Sequence, residues 1–156
     1  MFVKSYTALL VEFEALREML LGCARTWLGA VAHEAERHGE QLLVEVGLQP
    51  RTMLLPPARL ELGEVASTER TTSLAVRLVV DGAERLLPSL DGSLDVAWLG
   101  AGRSHLALSV RYEPAGGELD QVVDRALLHR VVEAVALRFV EGAAARLRDR
   151  ETCRAE

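Results

Sequence analysis

The chain has 156 residues, 49% of them apolar and 26% charged, with a net charge of −5 and a pI near 5.5. That length suits one domain, and the apolar share is enough for a core. The acidic balance speaks against nucleic acid, which asks for a basic stripe. The arginines near the end (Arg138, Arg146, Arg148, Arg150, Arg154) are interleaved with Glu141, Asp149, Glu151 and Glu156 and read as a solvated helix end.

No run of about 18 apolar residues exists, so no transmembrane segment is expected. Residues 1–8 lack the charged-then-apolar order of a secretion signal. The two cysteines, Cys23 and Cys153, have no partner at metal or redox spacing and read as free thiols of a reducing compartment. A cytoplasmic protein is the resulting expectation.

Residues 1–10, with Tyr6 and Thr7, read as an edge strand. From Val11 the spacing becomes helical: Phe13, Leu16, Met19 and Leu20 fall three and four apart, with Glu12, Glu14, Arg17 and Glu18 between them. Gly22 interrupts, and a second helix with Trp27, Leu28, Val31 and Ala35 inside runs to about His38, where Gly39 suits a C-cap. Two short helices are expected because Gly22 and Gly29 weaken a longer one. Residues 41–48 read as a strand, and Pro50, Pro56 and Pro57 then mark a loop.

The middle of the chain alternates with period two. Leu60 and Leu62 begin it. Leu74, Val76, Leu78 and Val80 share a face, as do Leu94, Val96 and Trp98, and then Leu106, Leu108, Val110 and Tyr112. Asp81-Gly82, Asp91-Gly92 and Gly100-Ala101-Gly102 read as turns, so the strands form an antiparallel meander with one buried face. Pro114 and Gly116-Gly117 close it. Residues 118–149 contain no proline and one glycine, Gly142, and would make a helix roughly 45 Å long. A sheet with one apolar face needs a cover, and this helix is the expected one. Projected at 100° per residue, Leu119, Val123, Ala126, Leu127, Ala134 and Leu137 form the stripe expected to face the sheet. Val132, Ala136, Phe139 and Ala143 gather nearly opposite. The second stripe is expected to cover another element or a partner, which leaves self-association into a homodimer open.

Little in this pattern points to chemistry. The His33 to His38 stretch looks like a zinc-protease signature, but its histidines are five apart, about 140° around a helix. No phosphate loop, nucleophile elbow or metal-ligand cluster occurs, and no cofactor or metal is expected. His129 and Glu133, four apart on the last helix, can meet. Asp124 and Arg125 sit near that helix's start and read as capping or tethering residues. Tyr112 would put one hydroxyl into an apolar wall. Tyr112 and His129 are therefore the only, weak, acid/base candidates.

Four stretches carry a family resemblance. They are Trp27-Leu28 with residues 39–47 after it, residues 87–92 (Leu-Pro-Ser-Leu-Asp-Gly), residues 106–114 ending Arg-Tyr-Glu-Pro, and residues 124–133 (Asp-Arg-Ala-Leu-Leu-His-Arg-Val-Val-Glu). With the element order, they resemble the START/polyketide-cyclase-like (SRPBCC) superfamily, and small actinobacterial proteins in it labelled cyclase/dehydrase or lipid-transport-like. The resemblance implies an α+β helix-grip fold: a curved antiparallel sheet of six to seven strands around a long C-terminal helix, with two short helices after the first strand. One domain would span residues 1–149, with a flexible tail at 150–156. It also implies an apolar cavity between sheet and helix holding a hydrophobic small molecule, lipid- or polyketide-like. The ligand-contacting residues would be Trp98, Leu108, Tyr112, Leu127 and Val131. Binding without catalysis is the first expectation. An aromatase/cyclase or dehydratase using Tyr112 and His129 is the alternative.

Overall fold

The computed structural model describes residues 1–46, 59–80, 87–113 and 125–149. Their elements are, in order, β1 (Phe2–Leu9), α1 (Phe13–Leu21), α2 (Ala24–Glu45), β2 (Arg59–Ser67), β3 (Thr71–Val79), β4 (Leu90–Gly100), β5 (Arg103–Arg111) and α3 (Arg125–Arg148). The strands form one antiparallel sheet in the order β1-β5-β4-β3-β2. The architecture is α+β, with five strands among the described residues instead of six to seven.

The first difference from expectation lies in α2. It is 22 residues long, not short, and residues 41–45 are its last turn and not the start of a strand. The reason is a continuous helical stripe. Leu28, Val31, Ala35, Gly39 and Leu43, spaced three or four apart, are all buried. Packing along this stripe outweighs the β-branched content of residues 41–46. Gly29 costs about 1 kcal/mol of helix propensity and is tolerated with open space beside it. Gly39 is not a C-cap. A Cβ there would meet Val135 Cγ2 at 2.4 Å and Leu87 Cδ1 at 3.0 Å, so the missing side chain lets α2 lie close against α3. Gly22 does end α1, its N–H donating to the Glu18 carbonyl at 3.0 Å.

The second difference lies in β4. Asp91 and Gly92 do not form a turn; they are paired residues inside the strand, opposite Arg111 and Val110 of β5. A Cβ at Gly92 would sit 1.7 Å from the Ser109 carbonyl oxygen. Close backbone approach, and not turn geometry, is what requires glycine. The turn expected at Gly100–Gly102 does join β4 to β5, and Gly102 has φ +71°, a conformation that favours glycine. The expected turns at Asp81-Gly82 and Pro114–Gly117, residues 118–124 of the last helix, and the tail lie outside the described residues.

Alternation then sets the core. Val3 and Leu9 of β1, Leu74, Val76 and Leu78 of β3, Leu90, Leu94 and Val96 of β4, and Leu106, Leu108 and Val110 of β5 are buried and join the helices in one apolar cluster. Two helices share the cover. α3 packs against β1, β5 and α2, while α2 also reaches β2. A long α2 thus takes half of the role expected of α3 alone.

This shared cover reverses the expected phase of α3. Its buried residues are Leu128, Val131, Val132, Val135, Ala136, Phe139, Val140, Ala143, Ala144 and Leu147. The stripe expected inside is largely outside: Ala126 and Leu137 are exposed, and Leu127 and Ala134 are half-buried. Contact with both α2 and the sheet buries a broad arc of the helix, and that arc is centred on the stripe expected to be its back.

Candidate functional site

A small apolar void lies between the sheet and the α2/α3 pair. Leu60, Val76, Leu78, Leu90, Leu108 and Val110 form its floor, and Ala32, Ala35, Val135 and Phe139 its roof. The floor residues sit at one end of the sheet, where Leu60 pairs with Leu78 and Leu78 with Leu90. The two alanines leave the space, because their side chains are too short to reach the floor. The volume is about 20 Å³, room for roughly one water molecule, and the walls offer such a water no polar partner. Two larger hollows, about 540 Å³ beside Ala8, Leu10, Val11 and Arg148 and about 310 Å³ on the sheet beside Phe2, Asp91 and Arg111, are open dents in the surface.

Beyond the void along β5 lies a polar chain. Tyr112 is 3% exposed, and its hydroxyl is 2.9 Å from His129 Nδ1. His129 Nε2 is 3.1 Å from Glu133 Oε1. Tyr112 is held at the end of β5 by the chain terminus: its N–H donates to the Met1 carbonyl at 3.0 Å, and the Met1 amino group donates to the Tyr112 carbonyl at 2.8 Å. Burial, and then the Glu133 charge, raise the Tyr112 hydroxyl above its usual pKa of 10.0. The phenol therefore keeps its proton at neutral pH. Against a neutral imidazole it donates to Nδ1, which leaves the ring proton on Nε2 to donate to Glu133. Glu133 is more exposed than His129, with 56% against 32% of the side chain accessible, so the chain runs from core to solvent.

The structure brings some of the sequence candidates together and separates others. Leu108 lines the void. Val131 is buried in the core, and Tyr112 and His129 touch each other, but none of the three lines the void. Leu127 is half-buried against the core edge. Trp98 has the inner phase of β4, as Leu94 and Val96 do, yet it is 42% exposed. It lies beside the register shift between Trp98 and Gly100, with the Arg70 guanidinium 4.6 Å from its ring centre.

Sequence reasoning missed the roof. Val135 and Phe139 are four apart, and Ala32 and Ala35 are three apart on the stripe of α2. Phe139 stood on the second stripe of α3, and weighing that stripe equally would have found it. Among the described residues no group of His, Cys, Asp and Glu could hold a metal ion, and no helix is long and apolar enough to cross a membrane. Cys23 is disulfide-bonded, which overturns the free-thiol reading and removes its support for a cytoplasmic location.

No family model matches the chain, and no curated protein matches it in sequence. Solved structures similar to it include the Zhui aromatase/cyclase from Streptomyces sp. R1128, at 14% identity and TM-score 0.49, covering 97% of this chain and 95% of that one. TTHA0849 from Thermus thermophilus is similar at 9% identity and TM-score 0.42, covering 94% and 97%. The vertebrate conserved region of human METTL16 is similar at 10% identity and TM-score 0.27, covering 86% and 98%. No substrate or activity passes from these proteins to this chain.

Proposed function

We propose that the protein binds a hydrophobic small molecule, lipid- or polyketide-like, between the sheet and the α2/α3 pair. The observation that carries this reading is the lining of the void: apolar walls at the junction of two layers, the usual composition of a small-molecule site. At about 20 Å³ it is the closed form, since ligand pockets start near 300 Å³. Binding therefore requires α2 and α3 to lift from the floor. The same small volume favours a rival reading, a permanently closed core whose outer surfaces do the work.

The test is titration of the full chain with two probes, a long-chain fatty acid and a fused-ring phenol, followed by methyl and aromatic NMR and native mass spectrometry. Saturable shifts at Leu108, Val110, Val135 and Phe139 with one bound probe per chain are expected. Shifts confined to exposed residues, with only bare protein in the mass spectrum, would favour the closed core.

The alternative, an aromatase/cyclase or dehydratase for a polyketide-like substrate, is favoured by the Tyr112–His129–Glu133 chain. A raised phenol beside an imidazole oriented by a carboxylate can donate and recover a proton. For that reading the opened void must extend about 7 Å along β5, the rise from Val110 to Tyr112. Turnover of the fused-ring probe, lost in both Tyr112→Phe and His129→Gln, would rank catalysis above simple binding.

A further inference from the structure

A row of alternating charge crosses the outer face of the sheet. Glu61 of β2 pairs with Arg77 of β3, Arg77 with Asp91 of β4, and Asp91 with Arg111 of β5. All four are exposed. Their strand neighbours Leu78, Leu90 and Val110 point the other way and are buried in the core, so the row stands on the face away from the helices. Neighbouring strands are about 5 Å apart, close enough for ion pairs. Yet among the described residues no ion pair joins any two of the four. The next row on this face is short: Ala75 pairs with Ser93, and Ser93 with Ser109. Long charged side chains thus stand beside a low floor.

The signs read minus, plus, minus, plus from β2 to β5. Turned end for end, the row reads plus, minus, plus, minus and complements itself. A two-fold axis lying along the strands between β3 and β4 makes that turn. It sets Arg77 against Asp91 of the partner subunit and Glu61 against Arg111 of the partner subunit. Packed sheets are about 10 Å apart, a gap that a long arginine opposite a carboxylate suits, and the short row beside them lets the two backbones approach. We propose that two copies of this chain associate face to face through the outer surface of the sheet, with the Glu61–Arg77–Asp91–Arg111 row fixing their register. Such an interface is isologous, the same patch serving both copies. Each chain carries a net charge of −5, so two copies repel at long range. A row whose charges cancel lets this face meet itself. The helix-covered face and its void stay free in each copy, so the inference is independent of any ligand.

The experiment measures the mass of the full chain by light scattering over a concentration series. A dimer is expected at low salt, with association about tenfold weaker when salt rises from about 0.05 M to 0.5 M. Glu61→Arg and Arg111→Glu should each weaken it by about 100-fold or more, because each sets like charges face to face. Together they should restore the dimer, although they place like charges side by side within each chain. A row that mattered only inside one chain would be worse in the double variant. Circular dichroism checks that each variant folds, and Arg77→Asp with Asp91→Arg is a second pair with the same logic across the interface. A chain that is monomeric at every concentration, leaving the face to a different partner, would overturn the proposal. So would a dimer that ignores the single substitutions, or folded double variants that stay apart.

Discussion

Tyr112 and Trp98 occupy the same kind of place in the pattern and meet opposite fates. Both are aromatic, both end a run of alternating apolar residues, and both have the phase that points inward. Tyr112 is 3% exposed and Trp98 42%. Tyr112 lies where β1, β5 and α3 converge, and a histidine from α3 meets its hydroxyl. Trp98 lies at the other end of the sheet, where the β2–β3 turn and Arg70 are its neighbours. Strand phase decides which face a side chain uses. Whether that face is covered depends on what the rest of the chain packs against it. Among the described residues, the Tyr112 end thus carries a Tyr112–His129–Glu133 chain, while Trp98 has the Arg70 guanidinium over its ring and is open to solvent.

Three substitutions break or sharpen this contrast. The largest effect is expected under the roof that Trp98 lacks. Phe139→Ala should cost about 3–5 kcal/mol in urea unfolding. The enlarged void should also bind a small apolar probe such as benzene, as dry engineered cavities do. A loss below about 1 kcal/mol would mean that α3 is not tightly seated over the sheet.

Next comes Tyr112→Phe. It removes the hydroxyl that meets His129 and should cost about 1 kcal/mol at neutral pH. It should also change the pH dependence. A phenol whose folded pKa is raised binds its proton more tightly in the folded state than in the unfolded one. Its contribution is therefore fully present below pH 10.0, the unfolded value, and is lost as pH rises through the folded pKa. Wild type should lose stability above about pH 10 more steeply than Tyr112→Phe. Parallel alkaline limbs for the two proteins would show that the hydroxyl is not buried as described.

The smallest effect is expected at the open end. Trp98→Ala should cost about 1 kcal/mol or less, the range of an exposed cation–π contact, and should leave probe binding at the void unchanged. A loss comparable with that of Phe139→Ala would make the two ends alike and remove the contrast.

Much of the fold is legible in residue types. The runs Leu74–Val76–Leu78 and Leu106–Leu108–Val110 state both strand and face, and Phe13–Leu16–Leu20 states α1. Where the reading failed, a second periodicity or a partner intervened. Leu43 belongs equally to an apolar strand and to the stripe that starts at Leu28, and only its burial against the other layers selects the helix. Gly92 looks like the second half of an Asp-Gly turn, and only the 1.7 Å approach to the Ser109 carbonyl gives it its real role. In the candidate site, Leu108 and the His129–Glu133 spacing were legible, because one follows from period two and the other from one helical turn. The Tyr112–His129 contact joins residues on different elements and has no local signature.

The sequence by itself determined the periods: two along the strands, 3.6 along the helices, with most of the breaks between them. It thereby settled which side chains share a face of their own element, because that depends only on backbone geometry. The tertiary structure decided which face is covered and by what. It turned the back stripe of α3 into the buried one, left Trp98 in solvent, set the void at about 20 Å³ and joined Tyr112 to His129 across two elements. Those outcomes depend on the relative placement of α2, α3 and the sheet, which short-range periodicity does not specify.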